Sequence, residues 1–246
     1  MRFQLEYILA KPTNIRSTFN SLPRNVPDAY RGVIKRIEEG KNKTTAFKIL
    51  SWILLARWGL SMGELQEALS VEDGMKELIP IDDLIHPRYV VECCESLVTH
   101  DEETQAVRLT HYTLNDFLYK ECESVLLKSV DLARTCITYL DFSAFDVPCR
   151  DYWLIEERLE KYRFADYAAQ FWGVHTQGDA ERHEDIQLAV LRTFASESKR
   201  TSFLEIQKGG FSHERYYWSK DVPEPVLHIA SRHGLSTICG RLLDNR

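Results

Sequence analysis

Val107-Arg108-Leu109-Thr110-His111-Tyr112-Thr113-Leu114-Asn115-Asp116-Phe117-Leu118 is the stretch that decides the fold. Val107 and Leu109 alternate with Arg108 and Thr110, the period of a half-buried strand. From Thr113 the period becomes helical, with Leu114, Phe117 and Leu118 on one face. Thr113 is placed to cap that helix, with Asp116 three residues on, a variant of the capping box. His111 stands at the junction of strand and helix.

Upstream, Ser96 to His100 reads as a second strand, and Asp101-Glu102-Glu103-Thr104 as the turn that makes the two a hairpin. Three helices are expected before it. The first starts at Thr44 or Thr45 and carries Ala46, Phe47, Ile49, Leu50, Ile53, Leu54 and Leu55. The second follows the capping box Ser61-Met62-Gly63-Glu64 and buries Leu65, Ala68 and Leu69. An acidic loop from about Glu72 to Asp83 leads to the third. That helix begins at Pro87, with Tyr89, Val90, Cys93, Cys94 and Leu97 on its apolar face. Three helices followed by a hairpin is a helix-turn-helix variant with a wing.

The flanks are helical. Phe3, Leu5, Ile8 and Leu9 give residues 1–20 a helical stripe, and Pro27 to Glu39 is a second helix stopped at Gly40. Beyond the hairpin, helices are expected over Leu126 to Tyr139, Tyr152 to Tyr162, Phe164 to Trp172 and Ile186 to Phe194. Breaks are expected at Gly173 and Gly178. The aromatic group Tyr152, Trp153, Tyr162, Phe164, Tyr167, Phe171 and Trp172 reads as core. Pro225-Val226-Leu227-His228-Ile229-Ala230 fits the T-P-L-H-x-A ankyrin signature with Val226 intruding by one place. Residues 221–246 are shorter than the roughly 33 of one repeat. They read as a partial first repeat, with Leu235, Ile238 and Leu242 facing a missing neighbour and His228 tying the turn. The fold class is therefore mainly α. Its expected divisions are a helical tail (1–43), a winged helix (44–125), a helical spacer (126–220) and the ankyrin start (221–246).

The 246 residues, 44% hydrophobic and 28% charged, are those of a globular chain. No apolar run approaches the roughly 20 residues needed to span a bilayer. The amino terminus lacks a signal-peptide core, so the expectation is a cytoplasmic protein. Six cysteines without a CxxC pair fit a reducing compartment, and His86, Cys93 and Cys94 match no closed zinc site, so no metal is expected. The net charge of -6 is unevenly spread. Residues 1–43 hold nine Lys or Arg against four Asp or Glu, whereas residues 44–125 hold six against fifteen. The block that resembles a DNA-binding fold is thus the most acidic. The third helix offers Arg88 as its only Lys or Arg, so nucleic acid is not an expected partner. The basic amino-terminal segment is expected to pair, in a salt-sensitive way, with the acidic block of the same chain or with a partner.

The strand, His111 and the Asp116-Phe117-Leu118 helix together resemble the end of the winged-helix domain in NACHT-type signalling proteins. The resemblance extends further. Arg2-Phe3-Gln4-Leu5-Glu6-Tyr7-Ile8 and Leu22-Pro23 are similar to the helical tail of a fungal NACHT module, and Tyr167-Ala168-Ala169-Gln170-Phe171-Trp172 to the spacer before an ankyrin array. That winged helix is often labelled after inositol deacylases of lipid anchors, a label that implies no chemistry here. In these STAND-class NTPases the NACHT domain binds ATP or ADP, the winged helix folds back onto it, and the repeats sense a ligand. The resemblance implies one functional position, His111, as the histidine that contacts the β-phosphate in the resting state.

No G-x-x-x-x-G-K-[ST] occurs, and Gly40-Lys41 is an isolated dipeptide. No G-x-S-x-G elbow and no recognisable nucleophile context is present either. The reading is a non-enzymatic regulatory fragment that couples a nucleotide switch to a repeat sensor through protein contacts. It would bind no cofactor alone and meet ATP or ADP only where an NTPase module supplies them, in cis or in trans. The alternatives are part of an ATP-hydrolysing enzyme whose catalytic module lies elsewhere, or an acidic winged-helix module acting in transcription.

Overall fold

A computed structural model describes residues 25–149, 151–209 and 224–244. The expected helix over residues 1–20 lies outside the described residues. Among the described residues the chain is mainly helical, with twelve helices and one two-stranded sheet. Contacts divide it into two compact units. Of the described residues, the first contains those from 25 to Met62 and His86–Leu126, and the second contains Gly63–Ile85 and those from Leu127 on.

In the first unit, α1 (Val26–Glu39) starts where the Asn25 side chain accepts from the Asp28 N–H, with Pro27 in its first turn, and stops at Gly40. It buries Tyr30, Val33, Ile34 and Ile37. Helix α2 (Lys43–Leu55) carries Ala46, Ile49, Leu50 and Trp52 into the core. Helix α3 (Met62–Ser70) begins in this unit at Met62 and runs on into the second. Helix α4 (Pro87–Cys93) is capped by the His86 ring, whose Nδ1 accepts from the Arg88 N–H at 3.2 Å. Strands β1 (Val98–His100) and β2 (Val107–Leu109) pair antiparallel, with Val98 opposite Leu109 and His100 opposite Val107. The far edge of β2 is covered. Ser61 bridges to Ala106, the Val107 N–H donates to the Leu60 carbonyl, and the Met62 N–H donates to Gln105. Helix α5 (Thr113–Glu121) buries Leu114, Phe117 and Leu118.

Helix α5 starts one residue earlier than expected. Tyr112, already in the helical region, takes the cap position, and Thr113 is the first helical residue. The Thr113 hydroxyl therefore does not cap. It bonds the His111 ring at 2.8 Å and the Tyr30 hydroxyl at 2.9 Å.

The second unit holds the rest of α3, a 3-10 turn at Ile81–Asp83, and α6 (Ser129–Leu140), α7 (Tyr152–Lys161), α8 (Ala165–Thr176), α9 (Glu184–Thr193), α10 (Glu197–Gly209), α11 (Val226–Arg232) and α12 (Ser236–Asp244). Helix α6 packs most extensively on α8. Phe164, Tyr167 and Trp172 are fully buried, as the aromatic pattern implied, but Trp153 is 66% exposed and stands outside the core.

Four points differ from expectation here for identifiable reasons. Helix α8 does not break at Gly173 but continues to Thr176, because the glycine serves close packing rather than a turn. Its chain reverses at Gly178, where φ is +73°. Helix α10 was not expected, since polar residues fill most of its sequence around Phe203, Leu204 and Ile206. Leu235 and Ile238 are fully buried rather than facing a missing neighbour, and only Leu242 is partly open. The Glu181 carboxylate, 6% exposed, fastens α12 by accepting from Ser236 Oγ, the Thr237 N–H and Thr237 Oγ1 at its amino-terminal end. His228 is exposed and makes no side-chain hydrogen bond among the described residues, so it does not tie the turn.

Candidate functional site

The corner between β2 and α5 presents His111. Thr110 anchors it, with its N–H donating to the Leu97 carbonyl and its hydroxyl to the Ser96 carbonyl at 2.6 Å. The Thr113 N–H donates to His111 Nδ1 at 3.3 Å. In the neutral ring the proton therefore sits on Nε2. The ring lies 4.6 Å from that of Tyr112, which is 77% exposed, and His111 is itself exposed. Thr113 bonds in turn to Tyr30, whose ring meets Phe117 edge-on at 5.3 Å. The direction of His111 is thus fixed through α1, which sequence patterning had no means to link to it.

Helix α1 is also tied electrostatically. Arg31 binds Glu121 through both carboxylate oxygens, at 2.7 and 2.5 Å, and also binds Asp28. Arg36 reaches Glu95 at 3.2 Å. Two basic residues of the amino-terminal segment thus meet the acidic block within one unit.

On the wing, Asp101 accepts from the Glu103 and Thr104 N–H groups, and these bonds hold its carboxyl below the usual range. Arg88 of α4 is engaged by Glu92 at 2.6 Å. The face on which a DNA-reading winged helix carries cations has its arginine paired to an acid and the carboxylates of Glu102 and Glu103 beside it.

The second unit contains buried carboxylates that single-residue reading missed. Glu67, 2% exposed, accepts from the Tyr139 hydroxyl at 2.5 Å and the Phe164 N–H at 3.0 Å. Burial raises its pKa, and those two bonds only partly oppose the rise. Asp141 is bound by Lys199 at 2.7 Å, by Lys76, and by Arg192 at 3.3 Å. Burial would raise its carboxyl, but the lysines outweigh burial and hold it below the usual value. Each carboxylate is held by groups of its own unit, which is a structural role. Nothing distinguishes Glu67 in sequence from a solvated helix acid.

Among the described residues no three His, Cys, Asp or Glu side chains are placed to hold a metal ion. The cysteines are free. Cys93, Cys94, Cys122 and Cys136 are buried, and burial pushes the Cys122 thiol up to about 11. No helix among the described residues is long and apolar enough to cross a membrane.

This order of helices, hairpin and final helix agrees with the comparison to known proteins. Residues 35–131 match the family described as the GPI inositol-deacylase winged helix domain. The chain contains a winged helix domain of that type. No curated protein and no solved structure matches the chain.

Proposed function

We propose that this chain is a non-enzymatic regulatory module of the NACHT-ankyrin kind, working through protein contacts. Its winged helix docks on an NTPase module in the cytoplasm, and the carboxy-terminal helices, the start of an ankyrin sensor, bias that docking. The carrying observation is His111. It is turned outward beside Tyr112, with Nδ1 occupied by Thr113 and Nε2 free to donate. The sequence carries no G-x-x-x-x-G-K-[ST], so in this reading His111 completes a nucleotide site that the partner builds. The acid-rich wing supports protein rather than nucleic acid as the contact.

The test places a photo-reactive residue at Tyr112 in the full chain, in cells of the source organism. The expected product is a cross-link to a polypeptide that carries a phosphate-binding loop. Cross-links confined to partners without a nucleotide site would overturn the NTPase coupling. A transcription factor among them would favour the acidic winged-helix alternative.

A further inference from the structure

The second unit holds a cavity of about 640 Å³ whose two walls are both fixed from helix α3. One wall is the loop that follows α3. The Gln66 side chain donates to the Ile85 carbonyl at 2.6 Å, and the Ser143 N–H donates to the Lys76 carbonyl at 2.8 Å, so the loop is tied at both ends. It lines the cavity with Leu78, Ile79, Ile81 and Leu84. Ile81 is 65% exposed and the other three are half-buried, an apolar surface that the unit does not cover.

The other wall is residues 160–163, the end of α7 and the turn after it. Glu67 of α3 accepts from the Phe164 N–H, which pins the residue after Arg163. Gly63, one turn earlier on the same face of α3, makes room for the Arg163 side chain. A Cβ at Gly63 would overlap Arg163 Cδ and lie 2.8 Å from Nη1. The Tyr162 ring meets Phe145 edge-on at 5.3 Å, and Lys161 Nζ lies 5.3 Å from the Tyr162 ring centre. Burial raises the Glu67 pKa, and the charge of Arg163 is among the effects that offset it. The guanidinium nevertheless makes no ion pair and no hydrogen bond among the described residues. Glu77 and Glu160, which also line the cavity, likewise have no ion-pair partner among them.

We propose that this cavity binds a small zwitterion with an apolar body, the class of a short apolar peptide with both termini free. Arg163 takes the carboxylate, for which its planar fork of N–H donors is suited. Glu77 and Glu160 take the ammonium group, and the apolar body lies against Leu78, Ile79 and Leu84. The charges of the lining decide for both signs. A simple anion would meet two unpaired acids, and a simple cation would meet Arg163 and Lys161. A ligand with both signs answers each of them, and selectivity follows from the charges that a wrong ligand would leave unpaired. The volume lies within the roughly 300–1,000 Å³ of small-molecule sites. The site rests on the second unit alone and not on the docking of the winged helix.

The test titrates the ¹⁵N-labelled full chain with leucyl-leucine and follows amide shifts. Three comparison ligands are its N-acetyl form, its C-terminal amide and glycyl-glycine. The expected result is saturable shifts at residues 78–84 and 161–164 with leucyl-leucine. Each blocked form should bind at least about fivefold more weakly, the size of one partly exposed charge contact. Glycyl-glycine, which lacks the apolar body, should bind more weakly still. Arg163→Gln should weaken leucyl-leucine by a similar factor and leave the amide unchanged, since the amide has no carboxylate to lose. Gly63→Ala is a second route to the same loss, because its methyl group displaces the Arg163 side chain without altering its charge. Arg163 is exposed, so an unchanged circular dichroism spectrum will exclude misfolding. No binding of leucyl-leucine at millimolar concentration, or shifts confined to other residues, would overturn the site. Equal binding of the amide, or full binding by both variants, would overturn the role of Arg163. Tighter binding of the N-acetyl form would make the ligand a simple anion and overturn the zwitterion. None of these failures touches the Tyr112 cross-link, which reports on the NTPase reading alone.

Discussion

Gly173, within helix α8, lies so close to His233 that a Cβ at that position would overlap the ring Cγ and Nδ1 and sit 2.9 Å from the His233 Cβ. His233 cannot swing away easily. Its ring is held 4.9 Å from Trp172, edge to face, and its carbonyl accepts from Gln177 at 2.8 Å. Gly173→Ala would ordinarily gain about 1 kcal/mol of helix propensity. Here overpacking should cost about 1–3 kcal/mol and reverse the sign. Urea unfolding followed by tryptophan fluorescence should show a lowered midpoint. His233→Ala should relieve the clash, making the double variant less destabilised than the sum of the two single changes. Strict additivity would mean that the two residues do not meet.

The same histidine predicts a pH dependence. Burial lowers the His233 pKa to about 4, Arg232 pushes in the same direction, and Glu224 opposes them. The unfolded chain, with an ordinary value near 6.5, binds this proton more readily than the folded one. Stability therefore rises with pH across that interval. The contribution is complete above about pH 6.5 and is lost as pH falls toward 4. The melting temperature should decline over this range, and His233→Gln should flatten the decline. Asp141 adds its own loss at lower pH, since its depressed carboxyl stabilises the fold only while ionised. The readout is therefore the difference between wild type and the Gln variant. A variant that declines as steeply as wild type would remove His233 from the account.

The winged helix was legible because each element carries its own period and its own stop. Pro27 and Gly40 bracket α1, Pro87 opens α4, and Asp101 to Thr104 turns the hairpin. Gly173 was misread because a glycine that makes room for a neighbour looks, in sequence, like one that ends a helix. Helix α10 was missed because its buried face mixes Phe203, Leu204 and Ile206 with Ser202 and Glu205, which are held by Arg158 and the Cys149 N–H, so no unbroken apolar stripe marks it. His111 was visible as a position. What fixes its ring was not visible, because Tyr30 lies 83 residues from Thr113.

Glu67 and Tyr139 form a buried pair whose two members should respond unequally to substitution. Two donors, the Tyr139 hydroxyl and the Phe164 N–H, converge on one carboxylate oxygen. Glu67→Ala leaves both donors buried without an acceptor and opens a cavity, at a cost of about 3 kcal/mol or more. Glu67→Gln keeps an acceptor oxygen and removes a charge that burial disfavours, so it should be near neutral at pH 7. The sign agrees with the raised pKa. A carboxyl easier to protonate when folded opposes folding above its folded pKa, and that opposition disappears as pH falls through it. Tyr139→Phe should cost about 1–2 kcal/mol, since one of the two donors remains. Denaturant midpoints that rank Gln below Ala would show that the charge itself is required.

The clamp between α1 and the acidic block makes a salt-dependent prediction. Arg31 and Arg36 pair with Glu121 and Glu95 at solvent-exposed positions, where single ion pairs contribute little. They nevertheless share one sign of field, because the block from 44 to 125 has fifteen acids against six bases. Raising ionic strength from about 0.1 to 1 M shortens the screening length from about 10 to 3 Å. It should lower the melting temperature of the first unit slightly rather than raise it. Two effects compete. Screening weakens the Arg–Glu attraction, and it also relieves repulsion among the acids themselves. The bidentate Arg31–Glu121 geometry decides for attraction, because its groups lie at contact distance while the acid–acid repulsion is spread over the block. In Arg31→Ala that attraction is gone and only the repulsion remains, so added salt should now stabilise the unit. A reversal in the sign of the salt effect between wild type and Arg31→Ala, read by differential scanning calorimetry, is the expected outcome. The same sign in both proteins would mean that α1 is held by Tyr30 and its apolar face alone.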